Sequence, residues 1–284
     1  MNYLKRFFDF ILFGNIYIAL GAVCLIQSTA IQLGINNNLF FYSILSFFAT
    51  LFIYNFQRIF YSNKSDLRLH SIRRKWIFKN QNLIKVLTFI GCLGVFTSLF
   101  FNELKIIFYL SPLFILSIAY FAPFIKLRKN PWFKLIILAV VWTMVTAVVP
   151  ILLCYSDPFT TNNLTHILVR FVFMIGICIP FDIRDLEIDK AENVFTFSQK
   201  FGEKKTRYIA FCFTIVYSIL ILIEYVFGMV LLNVFIALII TAIINSIVVF
   251  MSNAKRNEYF FVFLLDGTMV FQGVIFIAFQ LFCK

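Results

Sequence analysis

Three aspartates, Asp182, Asp185 and Asp189, stand in the segment from Pro180 to Lys190, directly after an apolar run. At about 100° per residue, spacings of three and four place their side chains within about a 60° arc of one helix face, with Arg184 and Glu187 turned elsewhere. Carboxylates stacked in this way repel one another unless a positive charge stands between them. Mg²⁺ takes carboxylate oxygens and keeps positions for water and substrate phosphate, so the stripe reads as a metal–phosphate site. The plainer reading of three such acids is a solvated charged loop. The proline and the apolar run before them favour the site.

A second polar stripe, Asn55, Arg58 and Ser62, repeats the same spacing at the end of another apolar run. An arginine there costs up to about 2.5–3.5 kcal/mol at the centre of a bilayer and less towards its edge, so it needs a reason. Three readings stand. Arg58 grips a phosphate, pairs with Asp182 or Asp185, or reaches the interface as an anchor. Asp66 joins the same face only if the helix continues that far. Asp266, inside the last apolar run, is either a functional intramembrane acid or one hydrogen-bonded to a neighbouring helix. Arg73, Arg74 and Lys75 beside Trp76 read as an inner-leaflet interface, with diphosphate capture as the minority reading. Asn15 and Asn245 read as interhelical hydrogen-bonding groups.

The elements that carry these residues are set by composition. Of 284 residues, 62% are hydrophobic and only 13% charged, with a mean hydropathy of +0.92. Soluble domains carry about 25% charged residues, which excludes a soluble enzyme, a disordered chain and a nucleic-acid-binding domain. The net charge of +12 then reflects basic cytoplasmic loops rather than a nucleic-acid partner. Six scattered cysteines without CxxC spacing read as buried thiols, not as disulfides or a zinc site.

Nine apolar stretches have the length or near-length of a span: Phe10 to Leu33, Leu39 to Tyr61, Leu83 to Phe101, Ile106 to Phe124, Phe133 to Leu153, His166 to Phe181, Tyr208 to Phe227, Met229 to Met251 and Phe260 to Phe282. The sixth is short and ends beside Pro180, which predicts a broken or cavity-lining terminus. The first is too long for a signal-peptide core and reads as a retained span. With the N-terminus in the cytoplasm, about 20 of the 25 basic residues fall on the inside, so the expected orientation is N-terminus in and C-terminus out. Two long inside connections, Ser62 to Asn82 and Asp182 to Arg207, place the expected site at the cytoplasmic mouth of the bundle.

The aspartate stripe at the cytoplasmic end of the sixth stretch resembles the second aspartate-rich motif of the UbiA superfamily of intramembrane prenyltransferases. The continuation through Thr196 to Gly202 is similar to that family's, and Tyr120, Pro123 and Lys126 resemble its pattern at the end of the fourth span. The first motif, NDxxDxxxD, is degenerate here. Asn55 matches, while the three aspartate positions hold Phe56, Ile59 and Asn63.

The resemblance implies an all-α, polytopic membrane protein, one domain over residues 1–284, with nine helices around a central cavity. It implies transfer of a polyprenyl group from its diphosphate to a lipophilic acceptor in the bilayer, without nucleic acid. Asp182, Asp185 and Asp189 would hold Mg²⁺, and three acids with Arg58 suit one ion better than two. Asn55, Arg58, Lys126 and Tyr120 would contact the substrate. The expected place is a cytoplasmic membrane of bacterial type. The alternative is a catalytically inactive lipid- or partner-binding protein of the same fold. A transporter fits less well, since no repeated halves are visible and the acids gather at one mouth.

Overall fold

The computed structural model describes residues 3–35, 39–61, 71–121, 130–191 and 195–282, and these form helices and short connections without strands. Among the described residues, seven helices are long and apolar enough to cross a membrane, and an eighth span arises if the bent pair Tyr3–Phe13 (α1) and Ile16–Gln32 (α2) is counted as one. Lys105–Phe121 (α6), the fourth stretch of the sequence, is apolar but shorter than a full span.

The 58° bend between α1 and α2 has a local cause. Asn15 takes the left-handed conformation, φ 63°, a region that asparagine enters more readily than most residues because its short amide bonds locally. That amide donates to Asn55 Oδ1 at 2.9 Å, and Asn55 Nδ2 donates to the carbonyls of Gly14 (3.0 Å) and Leu51 (2.9 Å). The bend is therefore stapled to helix α3, Phe40–Tyr61.

Without water between them, membrane helices gain from close contact, and small residues allow it. Helix α3 packs along Gln81–Leu99 (α5), and a Cβ on Gly91 would stand 2.8 Å from the Phe52 backbone nitrogen. Helix α2 packs along Gly267–Phe282 (α13) in the same way, where a Cβ on Gly273 would meet Cys24.

Two π-helical turns interrupt the bundle. Met144–Val148 joins Pro131–Thr143 (α7) to Val149–Cys154 (α8). The carbonyls of Val145 and Thr146 in that turn are taken by Tyr42 Oη and Thr29 Oγ1, each at 2.7 Å. The second turn, Phe260–Leu265, leads into Asp266 and α13. Such turns recur at functional sites, since they re-aim side chains.

The short sixth span, expected to end beside Pro180 in a broken or cavity-lining terminus, is longer than expected and unbroken there, while Phe181, Arg184 and Asp185 at its end line a cavity. Helix α9 runs from Thr161 to Arg184, 24 residues, with Pro180 inside it. The Thr160 side chain caps its start by accepting from Asn163 N. Membrane helices tolerate interior proline because neighbours satisfy the freed carbonyl. The break falls at Asp185, before the short helix Leu186–Ala191 (α10). Beyond it, Phe197–Val226 (α11) packs against α9, and Leu232–Phe250 (α12) packs against α11. Bulky side chains such as Phe89, Leu93, Phe108 and Ile115 face outward, as a lipid environment requires.

Candidate active site

A cavity of about 720 Å³ lies between α3, α5, α6, α7 and α9, within the range of small-molecule sites, about 300–1,000 Å³. Its walls divide by chemistry. Towards Leu45, Leu99, Ile106 and Leu110 they are apolar. At the opposite end stand Arg58, Arg73, Arg74, Lys134, Arg184 and Asp185. Arg58 ends α3, and Arg73 and Arg74 lie on the short helix Ile72–Lys79 (α4), whose Ser71 cap accepts from Arg74 N.

The aspartates do not form one stripe. Lys134 Nζ lies between Asp182 Oδ1 at 2.7 Å and Asp189 Oδ2 at 2.9 Å, and all three side chains are buried. Asp182 Oδ2 also accepts from the Phe197 backbone nitrogen at 3.1 Å, capping the start of α11. Asp185, at the break after α9, turns away. Its two oxygens accept from Arg184 Nε and Nη2, each at 2.8 Å, in a bidentate pair. The Arg184 guanidinium lies 4.7 Å from the centre of the Phe181 ring. Burial alone would raise the Asp185 carboxyl, but the Arg184 fork outweighs it and holds the acid well below the usual carboxylate range.

Mg²⁺ needs carboxylate oxygens open to it at about 2.0–2.1 Å in near-octahedral array. Among the described residues no group of three His, Cys, Asp or Glu converges to hold a metal. Asp182 and Asp189 close on an ammonium and Asp185 on a guanidinium, so the three acids as arranged do not fit the ion expected from their spacing.

Other expected residues fall as follows. Arg58 and Tyr120 line the cavity. The Arg58 Nε is buried with no hydrogen-bond partner among the described residues, and Asp182 and Asp185 are bonded to Lys134 and Arg184 rather than to it. Asn55 is fully buried behind the wall, holding the Asn15 bend. Lys126, Ser62 and Asp66 lie outside the described residues. Asp266 lines the cavity near its basic end, and Tyr54 Oη accepts from Trp142 Nε1 (3.2 Å) on the same wall.

Sequence reasoning missed Lys134 and Arg184 as site residues. The signal for Lys134 was present. Asn130 caps α7 and Pro131 occupies its first turn, so Lys134 adds positive charge to the helix end that already carries the positive pole of the backbone dipole. A cation tolerated there and buried needs an anion beside it. Arg73 and Arg74, expected at an inner-leaflet interface, line the cavity. Glu258 accepts the Arg73 backbone nitrogen at 2.8 Å, with the guanidinium Nε at 3.8 Å, too long for a hydrogen bond. Burial lowers the Arg73 pKa, and the nearby Arg184 lowers it further against the opposing pull of Glu258.

The chain shares its fold with solved UbiA homologues. One from Archaeoglobus fulgidus bound to DMAPP and Mg²⁺ is 12% identical over 96% of this chain and 99% of its own, with a TM-score of 0.67. The same organism's homologue bound to GPP and Mg²⁺ gives 13%, 95%, 99% and 0.66. An apo homologue from Aeropyrum pernix K1 gives 12%, 99%, 98% and 0.59. No curated protein matches the sequence. Residues 77–266 match the UbiA prenyltransferase family, and the chain belongs to that family.

Proposed function

We propose that this chain binds a polyprenyl diphosphate in the cavity and transfers the prenyl group to a lipophilic acceptor. The observation that carries the reading is the pairing of a cationic mouth with an apolar tunnel. Along α3, cavity-lining residues extend from Arg58 back to Leu45, about 20 Å at 1.5 Å rise per residue. A headgroup with several negative charges fits the mouth, and a long hydrocarbon fits the rest.

The chemistry follows from that placement. Heterolysis of the C1–O bond leaves an allylic cation in the tunnel, and the electron pair departs with the diphosphate. Arg58, Arg184 and Lys134 stabilise the departing anion. The faces of Tyr54, Trp142 and Tyr120 border the tunnel and can stabilise the cation. The acceptor's nucleophilic atom forms the new bond to C1, and its displaced proton goes to Asp266, the cavity acid not held by Arg184. Asn55 positions the α1–α2 bend rather than touching substrate.

Orientation is part of the proposal. The basic loops support a cytoplasmic N-terminus and a mouth facing the cytoplasm, and reporter fusions to each end test it. A second reading, a diphosphate-lipid binder without transfer, is favoured by the closed pairing of all three aspartates. Pyrophosphate release from prenyl diphosphate and membrane lipid extract, measured on purified protein in nanodiscs, separates the two. Release that disappears in Arg58→Gln supports transfer. Prenyl diphosphate binding without release supports the second reading, and absence of both rejects the proposal.

A further inference from the structure

We infer that Lys134 takes the place of a divalent cation in this chain, so that diphosphate binding needs no metal. The inference rests on the proposed diphosphate site and concerns how that site is charged.

Its first support is position. The Lys134 ammonium lines the cavity, whereas Asp182 and Asp189, which hold it at 2.7 and 2.9 Å, stand behind it and do not. Both distances are those of charge-assisted hydrogen bonds. The two carboxylates therefore fix a cation facing the substrate, and that cation is built into the chain. The Asp189 side chain is fully shielded from solvent, so it has no route to a second ion without displacing the lysine.

The second support is charge. Three aspartates at the first-motif positions would carry three negative charges, but Phe56, Ile59 and Asn63 carry none, and Arg58 adds one positive charge in the same stretch of sequence. That stretch is four charges more positive than the acidic pattern it replaces. Two Mg²⁺ ions would supply the same four charges. The third support is Asp185, whose two oxygens are both engaged by Arg184. The three acids of the stripe are thus held by two basic side chains, Lys134 and Arg184, and on the cavity face of the mouth five basic side chains stand beside Asp185 and Asp266. Lys134 is a substrate-contacting residue in this account, and Asp182 and Asp189 are positioning residues acting through it.

Calorimetric titration of inorganic pyrophosphate and geranyl diphosphate into the full chain in nanodiscs tests this, in EDTA and in Mg²⁺. The wild type is expected to bind in EDTA within about twofold of its affinity in Mg²⁺. Lys134→Ala loses about 10- to 100-fold in EDTA, by removal of a charged hydrogen-bond donor. Added Mg²⁺ restores its binding, because the ammonium no longer occupies the space between Asp182 and Asp189. Wild-type binding that vanishes in EDTA and returns with Mg²⁺ overturns the inference and leaves the diphosphate site standing. Absence of binding under both conditions overturns the inference and the proposed function together. The wild-type comparison needs no variant, so it decides the matter even where Lys134→Ala fails to fold.

Discussion

Replacing Asp189 by Asn tests whether that acid works through Lys134. The side chain is wholly shielded and accepts from Lys134 Nζ at 2.9 Å. Asparagine keeps an oxygen in reach of the ammonium but removes the charge. A hydrogen bond to a charged group contributes about 1.5–3 kcal/mol and a neutral one about 0.5–1.5 kcal/mol, so the difference is roughly 1–2 kcal/mol. Asp182 remains at 2.7 Å, which keeps the loss below the 3–5 kcal/mol typical of breaking a buried pair outright. A loss of 1–2 kcal/mol changes a folding equilibrium by roughly 5- to 30-fold. The assay is equilibrium unfolding in mixed detergent micelles for the wild type, Asp189→Asn, Lys134→Ala and the double variant. If Asp189 acts through Lys134, its substitution is neutral or even stabilising once the lysine is gone, because the buried carboxylate then lacks that counter-charge. Effects that add within about 0.3–0.5 kcal/mol would mean that the two do not communicate, and would refute the reasoning.

Three further outcomes are expected. Asp266→Asn keeps prenyl diphosphate affinity but loses pyrophosphate release, and unchanged release rejects Asp266 as the proton acceptor. Burial would raise the Glu258 carboxyl, but Arg73 and Arg184 outweigh it and hold it below its ordinary value. Its stabilising effect is therefore complete above the unfolded pKa of about 4.3 and is lost as pH falls through the lower folded value. Unfolding from pH 7 to 3 should show this acid loss, and Glu258→Gln should flatten it. At Gly91, where a Cβ would stand 2.8 Å from the Phe52 backbone, Gly91→Ala should lower stability by about 1–3 kcal/mol, by the cost of overpacking. A neutral result would show that α3 and α5 separate easily.

Much of the architecture was legible before any contact was known. Length and hydropathy of the apolar runs located every described helix long enough to span, although the nine stretches include α6, which falls short of a span, and the carboxylate spacing pointed to the end of the bundle where the charged groups meet. The kink between α1 and α2 was not legible, because it depends on Asn15 finding Asn55, 40 positions away. The uninterrupted α9 was misjudged for a related reason: a proline ends a helix by local rules, whereas packed neighbours allow it to continue.

Helical periodicity acts over a few residues, and it determined by itself that Asp182 and Asp189 share a side. Which cation stands between them is a question of long-range packing. Lys134 is 55 positions from Asp189, and only the approach of α7 to the end of α9 brings its ammonium to the acids. Asp185 was assigned to the same face by spacing, but the turn after Arg184 gives it to its chain neighbour instead. Sequence periodicity could therefore say that the acids need a counter-charge. The folded bundle decides that a lysine provides it, because coulombic partners are chosen by distance in space and not by separation along the chain.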